Sequence, residues 1–188
     1  MARTGGRSGL ARVLASRRVF KGRLVRLRCD RVVLPNGVCT TREVVEYPGS
    51  VGIVPLLGHG QVILIRQYRY SVGGYLWEIP AGTLEPGEAP RAAARRELRE
   101  ETGYTAGRLV LLAKLFTSPG ILTEQMRLYL GTELKPSRLP CDLDECIEVR
   151  PFAFRDALRM IRSGALRDGK TLLGLTLLAR EHPELLRR

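Results

Sequence analysis

The chain has 188 residues, with 31 Lys and Arg against 19 Asp and Glu, for a net charge of +12. At 44% hydrophobic and 27% charged it is neither disordered nor fibrous in composition. No apolar run approaches the ~18 residues a membrane span needs, and the length suits one domain with a small appendage.

The N-terminal region holds most of the excess charge. Residues 1–31 carry ten basic residues and one acid, Asp30, which leaves only +3 on the other 157 positions. The nucleic-acid binder that +12 suggests is thereby reduced to a basic arm on a nearly balanced body. Residues 1–16, Arg-rich and acid-free, read as a basic flexible tail rather than a targeting segment. Val25, Leu27 and Cys29 then alternate with Arg26 and Arg28, which is strand periodicity. Pro35-Asn36-Gly37 signals a tight hairpin, and Pro48-Gly49 ends the partner strand. Residues 17–48 are expected to form a small antiparallel sheet, and 49–188 the main domain.

Two apolar runs follow, 51–57 and 61–66, joined by the Gly58-His59-Gly60 turn. Residues 71–87, rich in Gly and Pro, read as loop with at most short strands. Residues 89–101 read as a helix, with Pro90 in its first turn and Gly103 at its stop. Strands are expected at 109–116, 126–130 and 147–154, and helices at 155–162 and 170–180. This mixed order predicts an α+β or three-layer fold rather than a regular βαβ repeat. Cys29, Cys39, Cys141 and Cys146 form no metal-binding pattern, so free thiols in a reducing cytoplasm are expected.

Chemistry concentrates in residues 82–104, GTLEPGEAPRAAARRELREETGY. On the helix, Glu97, Glu100 and Glu101 share one face, since spacings of three and four make neighbours. A helix built only for stability would not gather like charges; converging carboxylates suit a hard divalent cation. The segment follows the pattern G-x5-E-x7-R-E-U-x-E-E-x-G-U through Gly82, Glu88, Arg96, Glu97, Leu98, Glu100, Glu101, Gly103 and Tyr104. Shuffling this composition reproduces its seven fixed positions about once in 10⁵ chains. It resembles the Nudix box of the Nudix hydrolases, departing only at Tyr104, where that family usually carries an aliphatic residue.

The resemblance implies a Nudix-type α/β/α sandwich and hydrolysis of a nucleoside diphosphate linked to another moiety, with Mg2+ or Mn2+ as cofactor. It implies metal ligation by Glu97, Glu101 and Glu100 and by the Ala81 carbonyl, with Arg96 orienting a box glutamate and Glu88 supporting the site remotely. Residues 66–70 (RQYRY), the approach Trp77-Glu78-Ile79-Pro80-Ala81-Gly82, and Pro119 sixteen residues after Gly103 resemble the ADP-ribose pyrophosphatase branch. That branch implies a homodimer with exchanged N-terminal sheets. It also implies a general base in the acidic stretch 142–149, Glu145 first with Asp144 and Glu148 in reserve, diphosphate binding by Arg69, and further substrate contacts from Glu124, Ser118 and Arg42. Trp77 reads as core.

The function this implies is conversion of ADP-ribose and water to AMP and ribose 5-phosphate. Another nucleotide sugar or a dinucleotide (UDP- or GDP-hexose, NADH, FAD) is the alternative substrate. A non-catalytic module holding RNA through the basic arm is the competing class, and the intact box argues against it.

Overall fold

The Asn-Gly hairpin forms as expected in the computed structural model, which describes residues 9–140 and 146–187. Leu34 donates its N–H to Val38 O at 2.9 Å, and Asn36 Oδ1 accepts the Val38 N–H at 3.1 Å. The turn joins β2 (Arg26–Val33) to β3 (Cys39–Glu46), and β1 (Arg12–Lys21) adds to β2 as the outer strand of a three-stranded antiparallel sheet. This sheet and the segment Phe116–Glu124 make one compact unit; Gly49–Leu115 and Gln125–Arg188 make a second.

The start of β1 corrects the expectation of a flexible tail through residue 16, because residues 12–16 are strand. Every β1 residue is exposed, so no buried face imposes an alternating pattern for the sequence to reveal. Backbone pairing holds the strand, together with a hydrogen bond from Ser16 Oγ to Asp30 Oδ1 at 2.6 Å. Asp30 also accepts from Arg28 Nε at 2.9 Å. In the same unit, Val45 exchanges backbone hydrogen bonds with Ile121 and Thr123.

The second unit is built on a seven-stranded sheet. It contains β4 (Ser50–Leu57), β5 (Gln61–Arg69), β6 (Gly74–Glu78), β7 (Ala81–Thr83), β8 (Tyr104–Phe116), β9 (Gln125–Pro136) and β10 (Ile147–Ala153). The order is β10-β5-β4-β9-β8, with β6 on β5 and β7 on β4. β4 and β9 run parallel, whereas β10–β5, β4–β5, β4–β7 and β5–β6 are antiparallel. β6 and β7 are the short strands anticipated in the Gly/Pro-rich stretch.

Side-chain alternation along the central strands creates two cores. Val54, Leu64, Leu128 and Leu130 pack with α2 (Phe154–Ser163) and α3 (Gly169–Glu181). Val51, Ile53 and Tyr129, from intervening positions, pack with Ala93, Ala94 and Leu98 of α1 (Pro90–Thr102). Helices therefore cover both faces, the α/β/α sandwich expected. Ile53, Leu64, Leu98, Leu128 and Leu175 are fully buried, each stabilising the fold by about 1.5–3 kcal/mol. Trp77 packs edge-on against Phe152 with ring centroids 5.0 Å apart, beside the first core as expected. Among the described residues no helix is long and apolar enough to cross a membrane, and Cys29, Cys39 and Cys146 are free thiols.

Candidate active site

Helix α1 begins with Pro90 and ends at Gly103, whose φ of 77° gives the left-handed cap that a side chain would strain. Thirteen residues bring Glu97 and Glu101 onto its inner face, 9% and 4% exposed. Opposite them lies β7, which pairs with β4 through Val51↔Gly82 and Gly52↔Ala81. Glu101 Oε2 accepts the Ala81 N–H at 2.8 Å. A Cβ on Gly82 would collide with the Glu97 carboxylate, so the first glycine of the box makes room for that carboxylate against the strand.

Arg96 gathers the remaining acids. Its Nε and Nη2 each donate to Glu88 at 2.9 Å, and its Nη1 donates to Glu97 at 2.8 Å and to Glu100 at 3.0 Å. Nη2 also reaches Thr83 O at 3.2 Å, tying the guanidinium to the end of β7. The Glu88 bond, with Glu97 and Glu100 adding to it, outweighs burial and raises the Arg96 pKa above its ordinary value. The same bond holds the Glu88 carboxyl below its usual range. One cation thus serves three carboxylates, with Glu101 as a fourth alongside. A cavity of about 440 Å³ opens beside them, lined by Glu100, Glu101, Arg138, Cys146, Ile147 and Val149, within the range of small-molecule sites.

A second ionic cluster lies in the same unit. Arg69, at the end of β5, donates through Nε and Nη2 to the two oxygens of Glu78, at 2.8 and 2.7 Å. Glu78 is 1% exposed and also accepts from Lys170 of α3. Lys170 pairs in turn with Asp168 at 3.0 Å. Asp168 caps α3 by accepting the Thr171 N–H at 3.0 Å and its hydroxyl at 2.6 Å. The Thr171 hydroxyl oxygen accepts the Ile79 N–H at 2.8 Å, returning the chain of bonds to β6. Burial pushes the Glu78 carboxyl up, but Arg69 and Lys170 together hold it below its ordinary value. The Glu78 hydrogen bond raises the Arg69 pKa against burial, and the charges of Glu101 and Asp168 add to the rise.

Of the residues singled out in sequence, Ala81, Arg96, Glu97, Glu100 and Glu101 come together, and Arg69 lies in electrostatic range of Glu101. Arg42, Ser118 and Glu124 belong to the first unit. There Arg42 donates to Thr40 and to the Thr41 carbonyl, Ser118 O accepts turn hydrogen bonds from Ile121 and Leu122, and Glu124 accepts the Thr117 hydroxyl. Glu145 and Asp144 lie outside the described residues. Glu148, on β10, pairs with Arg66 and Arg150. Sequence reasoning missed Glu78, Lys170 and Asp168; the sole local signal was Asp168 three residues before Thr171 at a helix start, a capping pattern.

A model of the NUDIX domain matches residues 46–173, and a model of the nucleoside diphosphate sugar hydrolase N-terminal domain matches residues 12–45. The chain is 38% identical to an ADP-ribose pyrophosphatase of Bacillus subtilis, over 85% of its own length and 88% of the relative's. It is 36% identical to a methanol dehydrogenase activator of Bacillus methanolicus, over 87% and 90%. The crystal structure of an ADP compounds hydrolase superposes with a TM-score of 0.84 at 25% identity, covering 95% of this chain and 97% of that one. The chain belongs to the Nudix hydrolases.

Enzymes of this family act with a divalent metal ion. Three carboxylates on one helix face, two of them buried beside a backbone strand, form the all-oxygen donor set such an ion takes. Among the described residues no three acidic, His or Cys side chains stand as a preassembled cage; Arg96 instead bridges Glu97 and Glu100. The donor chemistry, carboxylate oxygens beside a backbone strand, fits a divalent cation.

Proposed function

We propose that this enzyme hydrolyses the pyrophosphate bond of ADP-ribose, with Mg2+ as cofactor and Mn2+ able to replace it, releasing AMP and ribose 5-phosphate. The observation that carries the reading is the packing of Glu97 and Glu101 against Ala81–Gly82, with Arg96 linking Glu88, Glu97 and Glu100. The relation to an ADP-ribose pyrophosphatase over 85% of the chain supports the choice of substrate.

In this reading Glu97, Glu100, Glu101 and the Ala81 carbonyl hold the metal. When bound, the metal would neutralise charge on the pyrophosphate oxygens and make the attacking water more acidic. Arg96 holds Glu97 and Glu100 in place by charge-assisted bonds. Arg69 takes a diphosphate oxygen, for which a cationic fork is apt. Glu145 removes the proton of the attacking water, with Asp144 and Glu148 as alternates. Glu124, Ser118 and Arg42 contact the substrate. Water oxygen joins one phosphorus, and the bridging oxygen departs with the other phosphate.

The enzyme works as a homodimer through its N-terminal sheet. Supporting this, β1 is an outer strand that exposes Val13, Leu14, Val19 and Phe20, a combination soluble chains ordinarily cover. Free thiols support a reducing, cytoplasmic setting.

The test is a substrate panel with Mg2+, scoring AMP and sugar phosphate from ADP-ribose, UDP-glucose, GDP-mannose and NADH. ADP-ribose is expected to give the highest kcat/KM; faster turnover of UDP-glucose would overturn the specificity. Light scattering coupled to gel filtration is expected to return twice the 21.0 kDa chain mass.

A further inference from the structure

The bonds around Glu78 do more than join strands to a helix. An internal carboxylate with two cations is a costly device for stability alone, since well-packed apolar residues often serve as well or better. Its geometry, however, aims a charge. The guanidinium of Arg69 has five N–H donors in one plane, of which Nε and Nη2 each commit one to Glu78. Glu78 thereby fixes one edge of the plane, and Arg69 remains 35% exposed at its side chain.

Lys170 sets the balance of charge in this arrangement. With Glu78 and Arg69 alone, one negative and one positive charge would cancel. Lys170, 13% exposed, adds a second positive charge to the same Glu78 oxygen. Asp168, which compensates it from the far side, is itself occupied in capping α3. Glu78 therefore divides its charge between Arg69 and Lys170, and with Asp168 the four-residue cluster is balanced.

We propose that Lys170 is a positioning residue for the diphosphate group of the substrate: acting through Glu78, it fixes the plane of the Arg69 guanidinium. The proposal rests on the reading of Arg69 as a diphosphate ligand. Helix α3, whose Lys170 lies 92 residues beyond Glu78 of β6, thus becomes part of substrate recognition. In this reading Lys170 acts through Glu78 rather than by contact with the substrate or the metal.

The test compares Lys170→Met and Lys170→Arg in ADP-ribose hydrolysis, with thermal unfolding recorded for each. Losing one charge-assisted bond is expected to raise KM about tenfold while kcat changes by less than about threefold. Lys170→Arg is expected to restore most of the KM. In an Arg69→Gln background, Lys170→Met is expected to add nothing further to KM, because its effect passes through Arg69. Lys170→Gln, which keeps a donor toward Glu78, serves should Lys170→Met fail to fold. A lowered unfolding temperature with unchanged KM would make Lys170 a structural tie and overturn the proposal, as would an undiminished KM effect in the Arg69→Gln background.

Binding of imidodiphosphate, a diphosphate that resists hydrolysis, separates this inference from the assigned activity. Weaker binding to Lys170→Met than to wild type, in an enzyme that does not turn over ADP-ribose, would sink the activity and leave the positioning role standing. Equal binding to both would sink the positioning role.

Discussion

The two ionic clusters of the catalytic domain invert each other. At the box, one cation, Arg96, is shared among Glu88, Glu97 and Glu100, with Glu101 beside them. At β6, one carboxylate, Glu78, is shared between Arg69 and Lys170, with Asp168 beyond. The first carries a surplus of three negative charges and the second is balanced. Each kind of cluster suits the opposite kind of visitor. A surplus of oxygen donors attracts a divalent cation, and a guanidinium held along one edge offers its remaining donors to a diphosphate. In the proposed reaction the two clusters serve one substrate: the box would hold the metal that neutralises the diphosphate, and Arg69 would bind that diphosphate.

The contrast has a consequence for removing a single negative charge. In the balanced cluster, Glu78→Gln leaves Arg69 and Lys170 with Asp168 as their one remaining carboxylate, and breaking a buried pairing costs up to about 3–5 kcal/mol. Urea unfolding is expected to show a loss of that size. In the surplus cluster, Glu97→Gln or Glu101→Gln relieves repulsion, so stability is expected to hold or rise. Turnover there is expected to fall at least ~10²-fold, the scale of losing a strong electrostatic stabiliser. Gly82→Ala belongs with them, because its Cβ would displace the Glu97 carboxylate. Glutamine variants at both box positions with wild-type rates would remove the metal assignment. A stable Glu78→Gln would erase the distinction between the clusters.

The same contrast explains what could be read in advance. The box was legible because Glu97, Glu100 and Glu101 lie within one helix, where spacings of three and four fix which side chains meet, and because Gly82 and Gly103 bracket it locally. The cluster at Glu78 was not legible as a unit. Its members sit at 69, 78, 168 and 170, on two strands and a helix start, and only the folded sheet brings them together. Lys170 in isolation reads as an ordinary helix-surface lysine. The three-layer arrangement followed from element order and the two apolar runs at 51–57 and 61–66. The first half of β1, residues 12–16, escaped for a different reason: its side chains are exposed, and it continues the arginine-rich, acid-free stretch that reads as a tail.

The smallest expected effect is a pH dependence, and it separates the clusters by who holds the proton off. Both Glu78 and Glu88 titrate below their ordinary value of 4.5 in the folded protein. A carboxyl with a depressed folded pKa contributes its full stabilisation above the unfolded value and loses it as pH falls through the folded one. Acid is therefore expected to destabilise the wild type progressively below about pH 4.5. For Glu88 the cause is the Arg96 bond, so Glu88→Gln is expected to lower stability near neutrality. That difference from wild type should close as the pH falls. For Glu78 burial works the other way, and only the two cations overcome it. Lys170→Met should let burial regain ground, shrinking the Glu78 contribution and flattening the acid limb even though Glu78 itself is intact. Urea midpoints across that range decide the matter: curves for wild type and Lys170→Met that run parallel into acid would show that Lys170 does not hold Glu78 ionised.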